Sequence, residues 1–205
     1  MLSRLQYISQ GVTAEEQEKN ILKALQNGAE WIQLRWKNVS TEEFQDLGIK
    51  VKSYCRDFGA KCIINDHISV AGMIDADGVH LGLTDAPVAE ARKILGSGKI
   101  IGGTANTIRD IQQRLAENCD YIGLGPFRFT STKEKLSPVL GLKGYQDIFR
   151  YFQEKEIKLP PVFAIGGIQL EDMEALKNTG VYGVAVSGLI VKKPESISTI
   201  KTILQ

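Results

Sequence analysis

Eight short apolar runs recur along the chain, and longer amphipathic segments separate them. Most of these runs lack the strict apolar–polar alternation that marks a strand with one face in water. Near-continuous apolar strands are typical of parallel sheets covered on both faces. The spacing therefore predicts a parallel sheet with helical connections. The runs span residues 5–8, 31–35, 62–65, 78–81, 100–103, 121–125, 162–166 and 183–187.

The amphipathic segments carry start signals of helices. Thr13 followed by Glu16 has the spacing of a capping box, in which a hydroxyl and a carboxylate satisfy free N–H groups of the first turn. Thr107 precedes another segment with helical apolar spacing, and Pro194 suits the first turn of a last helix. The segment 68–73 has the weakest helical pattern of the set.

Eight strands, each followed by a helix, predict a (β/α)8 barrel. At 205 residues, the chain lies near the lower size limit of about 200 residues for that α/β fold. A doubly wound open sheet is the alternative, but such sheets typically have fewer strands, and no G-x-G-x-x-G follows the first run. Because no linker or low-complexity block divides the sequence, we expect a single domain over residues 1–205.

Charge and cysteine usage narrow the function classes. The 25 Lys and Arg residues nearly balance 24 Asp and Glu residues, whereas a nucleic-acid partner usually requires a strongly basic face. No apolar run reaches the ~18 residues of a membrane-spanning helix, and the N-terminal segment lacks the apolar core of a signal peptide.

Cys55, Cys62 and Cys119 have no C-x-x-C spacing and predict reduced thiols in a cytoplasmic protein. We expect small-molecule substrates and no nucleic-acid or membrane partner. The sequence leaves open whether the protein forms a homo-oligomer.

Polar side chains follow the second run. In a barrel the active site lies at the C-terminal ends of the strands, so the residues just past each run are candidates. Gln33, Arg35 and Lys37 alternate along the run and its exit, which places them on one side facing the barrel mouth. Two cations and an amide suit an anionic, hydrogen-bonding substrate. A solvated strand end is the alternative, although an unpaired charge on the interior side would cost several kcal/mol.

Two carboxylates follow neighbouring runs. Asp66 lies just past the third run and Asp85 follows the fourth. Carboxylates on adjacent strand ends can share a hard divalent cation, although each alone is also an ordinary loop aspartate. His67 directly follows Asp66, while His80 lies inside a run, where a hydrogen-bonded core role is the more frequent one.

Candidate phosphate-binding residues follow the last three runs. Gly166 and Gly167 close the seventh run, and Ser187 closes the eighth. Glycines let backbone N–H groups approach a phosphate, and barrel phosphate sites often follow strands seven and eight. Tight turns alone are the alternative explanation for the glycines. The loop after the sixth run adds hydroxyls and a cation at Thr130, Ser131, Thr132 and Lys133.

Together, these motifs resemble the family of thiamine phosphate synthases, which also includes the thiazole tautomerases. The matching segments keep the family's order, and they are 33–37, 64–66, 76–82, 120–126, 130–133, 164–168 and 183–187. The resemblance implies a barrel transferase of thiamine biosynthesis. In its reaction, hydroxymethylpyrimidine diphosphate loses pyrophosphate, and the nitrogen of a thiazole phosphate takes the pyrimidine methylene to form thiamine phosphate.

The resemblance also implies roles for individual residues. It makes Mg2+ the cofactor, bound by Asp66 and Asp85, and it makes Arg35, Lys37 and Lys133 the catalytic cations. The implied ligands of the pyrimidine diphosphate are Gln33, Arg35, Lys37, Asn65 and Lys133. Thr104 keeps a hydroxyl that can still reach the diphosphate, and it is a further substrate-binding candidate. The implied ligands of the thiazole phosphate are Thr130, Ser131, Thr132, Gly167, Val186 and Ser187.

Some positions depart from the family's usual pattern. Leu83 stands where glutamine is usual, and Thr104 and Asn106 replace the serine and histidine of a Ser-Ala-His segment. A thiazole tautomerase is the runner-up, but that activity is expected to use a histidine where this chain has Pro126, which has neither a titratable group nor an N–H. A non-catalytic protein that binds a phosphorylated ligand is the third alternative.

Overall fold

The eight apolar runs form a closed barrel in the computed structural model, which describes residues 2–129 and 138–205. The strands are β1 (Leu5–Ile8), β2 (Trp31–Leu34), β3 (Lys61–Asn65), β4 (Gly78–Leu81), β5 (Ile100–Ala105), β6 (Tyr121–Leu124), β7 (Val162–Ile165) and β8 (Gly183–Val186). Each strand is parallel to its sequence neighbours, and β8 closes the barrel on β1 with Ala185 opposite Gln6. The predicted (β/α)8 barrel is confirmed.

Helices connect the strands and cover the outside of the barrel. Thr13 caps the first helix by accepting a hydrogen bond from the Glu16 N–H at 3.2 Å, and Ser40 and Thr107 form complete capping boxes. A 3₁₀ turn at Leu170–Asp172 precedes the seventh helix. The helices are α1 (Ala14–Gln26), α2 (Thr41–Asp57), α3 (Ile68–Met73), α4 (Val88–Leu95), α5 (Ile108–Ala116), α6 (Gly141–Glu154), α7 (Met173–Lys177), α8 (Gly188–Lys192) and α9 (Ser196–Leu204).

The start of the last helix differs from the prediction. Helix α9 begins at Ser196 instead of Pro194, because the Ser196 N–H and Oγ both donate to the Lys193 carbonyl, at 3.0 and 2.7 Å. These bonds close a tight turn ahead of the helix. The short α8 precedes that turn and directly follows β8.

The side chains of the strands divide between two cores. Outward-facing residues such as Ile32 and Ile64 pack under the helices. Inward-facing Trp31, Tyr121 and Phe163 belong to a second cluster, in which the Trp31 ring lies 4.9 Å from each of the other two in edge-to-face contact. Such pairs contribute about 0.5–1.5 kcal/mol each beyond their buried area. The barrel interior is therefore a packed core, and the space for a ligand lies at the C-terminal mouth.

Cys55, Cys62 and Cys119 are buried free thiols, as the sequence predicts. In the two described ranges, no helix combines the length and the apolar character that crossing a membrane requires.

Candidate active site

The backbone at the exit of β2 is anchored by neighbouring side chains. The Arg35 N–H donates to Ser9 Oγ at 2.9 Å, and Gln17 Nε2 donates to the Arg35 carbonyl at 3.2 Å. Both partners are almost completely buried. These bonds fix the point where the chain leaves the barrel, so the half-buried Arg35 starts from a rigid base at the mouth.

Lys37, Asp66 and Asp85 meet at the exits of β2, β3 and β4. The Lys37 ammonium forms an ion pair with Asp66, and the carboxyl groups of Asp66 and Asp85 share a hydrogen bond. Asp66 has a left-handed φ of 65°, which aspartate tolerates better than most residues. The Gly82 N–H holds Asp85 from the other side at 2.5 Å. The predicted grouping of two carboxylates and a cation is therefore present.

The two carboxyl groups have opposite pKa shifts. Burial alone would raise the pKa of Asp66, but the hydrogen bond with Asp85 and the cations Lys37 and Arg35 together lower it below its usual value. Burial and the adjacent Asp66 carboxylate raise the pKa of Asp85, despite the Gly82 N–H and Lys37. Two carboxylates in contact resist carrying two negative charges at once, and a divalent cation relieves that repulsion.

Polar residues line the interior just below the mouth. Gln33, Asn65, His80 and Thr104 are all buried on the ends of β2 to β5. Gln33 Nε2 donates to Gln6 Oε1 at 3.1 Å. His80 is a hydrogen-bonded interior residue, as expected for a histidine within a strand. His67 instead opens α3 and stacks near the Phe44 ring, with 4.6 Å between the ring centroids.

Two glycines shape the exit of β7. Gly166 and Gly167 have φ values of 99° and 67°, a backbone region that L side chains rarely adopt. A Cβ atom on Gly167 would lie 2.9 Å from the Arg128 Cβ. The glycine turn therefore keeps main chain, not side chain, facing the loop that follows β6.

Arg128 braces this turn. Its guanidinium binds both carboxylate oxygens of Asp172, at 2.9 and 3.0 Å, and donates to the Gly167 carbonyl at 2.5 Å. The Arg128 N–H also donates to the Gly166 carbonyl at 2.9 Å. Arg128 is half-exposed, and its two-point bond to the Asp172 carboxylate fixes the position of its guanidinium.

Ser187 lies past β8, next to the β7 turn. Its Oγ donates to Gln10 Oε1 at 3.2 Å, which joins the exits of β8 and β1. Val186 points its side chain into the outer core, so any role in ligand binding falls to its main chain. Short helix α8 follows directly, which is the usual arrangement at phosphate sites of barrels.

Arg114 is a residue of this region that sequence reasoning missed. It projects from α5 behind the sheet and is 2% exposed. Its guanidinium donates to the Thr104 and Gly82 carbonyls, each at 2.9 Å, and pairs with Glu117 at 2.7 Å. A Cβ on Gly103 would lie 2.5 Å from the Arg114 Cδ, so a glycine in the strand opens the path. The available signal was an arginine on the apolar stripe of a helix beside a Gly-Gly strand.

One departure from the family pattern, Asn106, has a structural partner. The Asn106 amide donates to the Gly125 carbonyl, which ties the exit of β5 to that of β6. The Gly125–Pro126 peptide is cis, and Leu83 is exposed, two residues before Asp85 in the chain. The predicted ligands Thr130, Ser131, Thr132 and Lys133 lie outside the described residues.

The fold and this mouth define a class of protein. A closed (β/α)8 barrel with paired carboxylates, adjacent cations and glycine turns at strand exits is typical of enzymes that act on small phosphorylated substrates. Residues 6–190 match the family described as thiamine monophosphate synthase, and the chain belongs to that family. It is accordingly a transferase of thiamine biosynthesis.

Relatives and a solved structure agree with this family. The chain is 57% identical to the thiamine-phosphate synthase of Flavobacterium psychrophilum, over 94% of this chain and 93% of that protein. It is 53% identical to the thiamine-phosphate synthase of Flavobacterium johnsoniae, over 95% and 92% of the two chains. The structure of a thiamine phosphate pyrophosphorylase from Pyrococcus furiosus has a TM-score of 0.83 at 29% identity, over 99% of this chain and 98% of that one.

Proposed function

We propose that this chain condenses hydroxymethylpyrimidine diphosphate with a thiazole phosphate, giving thiamine phosphate and pyrophosphate. The observation that carries the proposal is the contact of Asp66, Asp85 and Lys37 at one barrel mouth. The glycine turn at Gly167 lies at the same end of the barrel. A family of thiamine monophosphate synthases supplies the identity of the two substrates.

The reaction breaks one bond and forms another at a single carbon. The bond between the pyrimidine methylene and the bridging oxygen breaks, and its electron pair leaves with pyrophosphate. The electron-rich aminopyrimidine carries the positive charge left on the methylene. The thiazole nitrogen then gives its lone pair to that carbon and forms the C–N bond. No proton has to leave the nucleophile, so the site needs no general base.

The cations act where negative charge grows. Arg35 and Lys37 lie at the exit of β2 beside the acidic pair, and Lys133 belongs to the loop after β6. Placed against the departing pyrophosphate, such groups stabilise the charge that develops in the transition state. Buried Gln33 and Asn65 offer amides for the pyrimidine, and Thr104 offers a hydroxyl for the diphosphate.

The acidic pair fits a Mg2+ ion. Asp66 and Asp85 provide two hard oxygen ligands in contact, and Mg2+ is usually held by one or two carboxylates together with substrate phosphates. When bound, Mg2+ would supply positive charge to the phosphate oxygens of the leaving group. Lys37 keeps Asp66 oriented through their ion pair.

The exits of β6 to β8 would hold the thiazole phosphate. The main chain of Gly167 and Val186 and the hydroxyl of Ser187 lie on two neighbouring strand exits. Thr130, Ser131 and Thr132 would complete the set from the loop after β6. The nucleophile would therefore enter from the side of the mouth opposite the acidic pair on β3 and β4.

The three buried thiols support a reducing compartment, and we place the enzyme in the cytoplasm. A homo-oligomer remains compatible with the proposal, because every assigned ligand comes from one chain.

A reconstitution with purified protein tests the activity and the metal. Both substrates and Mg2+ should give thiamine phosphate, while omission of either substrate or addition of excess chelator should abolish it. Asp66→Asn should require more Mg2+ than the wild type. Asp75→Asn is the matched control, because Asp75 pairs with Lys99 near the start of β4 and β5, at the opposite end of the barrel. Full activity in chelator would overturn the Mg2+ assignment.

The same preparation separates the alternative activities. A thiazole tautomerase would isomerise the thiazole carboxylate phosphate without releasing pyrophosphate from the synthase substrates. A binding protein would bind the phosphorylated ligands and turn over neither. Either result would refute the proposed synthase reaction.

A further inference from the structure

A continuous chain of hydrogen bonds runs through the barrel interior beneath the mouth. Gln33 Nε2 donates to Gln6 Oε1 at 3.1 Å, and Gln6 Nε2 donates to the Tyr121 hydroxyl at 3.2 Å. That hydroxyl lies 3.0 Å from His80 Nδ1, and His80 Nε2 lies 3.0 Å from Thr104 Oγ1. All five side chains are buried. The chain therefore connects two predicted substrate ligands, Gln33 and Thr104, through three residues without an assigned role.

Two glycines make room for this chain. A Cβ atom on Gly102 would lie 2.1 Å from the Tyr121 Cζ, and one on Gly123 would lie 3.1 Å from the His80 Cε1. Gly102 lies on β5, which pairs with the strands of both His80 and Tyr121, and Gly123 lies on the same strand as Tyr121, facing the interior. Because a side chain at Gly102 would exclude the Tyr121 ring, the interior is shaped around the tyrosine and the histidine.

The donors and acceptors give the chain a direction. Burial raises the pKa of the Tyr121 hydroxyl, so Tyr121 keeps its proton. Since that oxygen accepts from Gln6, its proton is directed to His80 Nδ1. A ring that accepts at Nδ1 carries its hydrogen on Nε2, which then donates to Thr104 Oγ1. The Thr104 oxygen is thereby occupied as an acceptor, and its own proton is left for a partner outside the chain.

The place of Thr104 identifies that partner. Thr104 lies one pleat beyond Gly102, towards the C-terminal end of β5, at the level where the interior meets the mouth. Its backbone is fixed from behind by Arg114, whose guanidinium also holds Gly82 next to Asp85. A hydroxyl fixed in this way suits an anionic oxygen that can only accept.

We infer that His80 is a positioning residue which, held by Tyr121 and Gln6 as the Nε2–H tautomer, turns the Thr104 hydroxyl into a donor for a diphosphate oxygen. The inference rests on the proposed function for the identity of the diphosphate. It assigns no proton transfer to the histidine. The opposite polarity would turn the Thr104 proton inward, towards His80, and would present a lone pair to the negatively charged ligand.

The tautomer can be measured directly in the unliganded wild-type protein. The protein has two histidines, so nitrogen NMR of the isotope-labelled protein gives two imidazole patterns. The variant His67→Gln then identifies which pattern belongs to His80. We expect a protonated Nε2 and an unprotonated Nδ1 for His80. A protonated Nδ1 would overturn the inference, and this readout needs no substitution among the five hydrogen-bonded residues and no turnover.

Binding of inorganic pyrophosphate with Mg2+, measured by calorimetry, tests the consequence without requiring catalysis. Tyr121→Phe keeps the ring and removes the hydroxyl, and it should weaken binding about 10-fold, the scale of one hydrogen bond to a charged group. Tyr182→Phe is the matched control, because the Tyr182 hydroxyl donates to the Leu2 carbonyl at the opposite end of the barrel, at 2.5 Å. It should change binding less than about 2-fold.

A double-mutant cycle separates positioning from a general structural effect. If Tyr121 acts through Thr104, then Tyr121→Phe should have almost no further effect on pyrophosphate binding in a Thr104→Ala background. Equal losses in both backgrounds would overturn the inference. Should Tyr121→Phe not fold, the wild-type tautomer decides. Absence of thiamine phosphate formation alongside the expected tautomer and binding pattern would instead refute the proposed function.

Discussion

Replacing Arg114 with methionine should destabilise the barrel more than any comparable change on the surface of the same helix. The substitution keeps an unbranched side chain of similar length and removes the guanidinium. The Thr104 and Gly82 carbonyls then lose donors at 2.9 Å, and Glu117 loses its partner at 2.7 Å. Arg114 is 2% exposed and its bond to Thr104 is buried, so water cannot readily replace the donor lost there, whereas the Gly82 carbonyl is only partly buried.

The size of the effect follows from these three contacts. A buried carbonyl left without a donor costs about 1–3 kcal/mol, which applies to Thr104, and the partly buried Gly82 carbonyl adds about 1 kcal/mol. Glu117 is partly exposed and can be hydrated, so its share is below about 1 kcal/mol. Relief from burying the Arg114 charge offsets part of this sum, so the net cost is about 2–4 kcal/mol. At about 2–4 °C per kcal/mol for a chain of this size, Tm should fall by roughly 4–16 °C.

Thermal unfolding followed by circular dichroism, with urea denaturation as a second measure, checks this value. Arg109→Met is the matched control, because Arg109 is exposed on the same helix and should change stability by about 0.5 kcal/mol at most. A Tm for Arg114→Met within about 2 °C of the Arg109→Met control would refute the reasoning, because the three bonds would then contribute nothing net.

Three further predictions concern the mouth. The folded state raises the pKa of Asp85, so protonation of Asp85 favours folding, and this contribution is lost as pH rises through the raised pKa. In metal-free buffer, Asp85→Asn should therefore be more stable than the wild type above that pH. Added Mg2+ should raise the Tm of the wild type more than the Tm of Asp85→Asn. Identical pH profiles of Tm for the two proteins would contradict the raised pKa of Asp85. Arg35→Ala and Lys133→Ala should each lower kcat/KM by about 10²–10³-fold without a change in Tm, by analogy with the loss of one oxyanion-hole donor. Wild-type kcat/KM for both variants would show that the diphosphate site is misassigned. Gly167→Ala, at a φ of 67°, should raise KM for the thiazole phosphate while KM for the pyrimidine diphosphate stays within about 2-fold; equal rises in both would contradict two separate anion sites.

The strands and the polar residues at the strand exits could be predicted because both depend on the local sequence pattern of apolar runs. Short apolar runs define the barrel strands, and polar residues one step past a run lie at the mouth whatever the helices do. Asp66 and Asp85 follow neighbouring runs in the sequence, and the structure brings their carboxyl groups into contact. Arg35 and Ser187 end their runs in the sequence and lie at the mouth, just outside β2 and β8.

Residues whose role depends on a partner distant in sequence could not be predicted in this way. Arg114 lies on the apolar stripe of its helix, but only the gap at Gly103 shows that its side chain crosses behind β5. The start of α9 depends on two bonds to the Lys193 carbonyl, which propensity does not reveal. Interior residues such as Gln6 and Tyr121 resemble ordinary strand positions, and only barrel closure brings them together.

The central claim is that one barrel mouth joins the two substrates by breaking the carbon–oxygen bond of the diphosphate. Running the reaction with Mg2+ in water enriched in heavy oxygen, and analysing both products by mass spectrometry, tests it directly. One thiamine phosphate should form for each pyrophosphate, with no heavy oxygen in the pyrophosphate. Inorganic phosphate carrying heavy oxygen, or pyrophosphate release without thiamine phosphate, would contradict it.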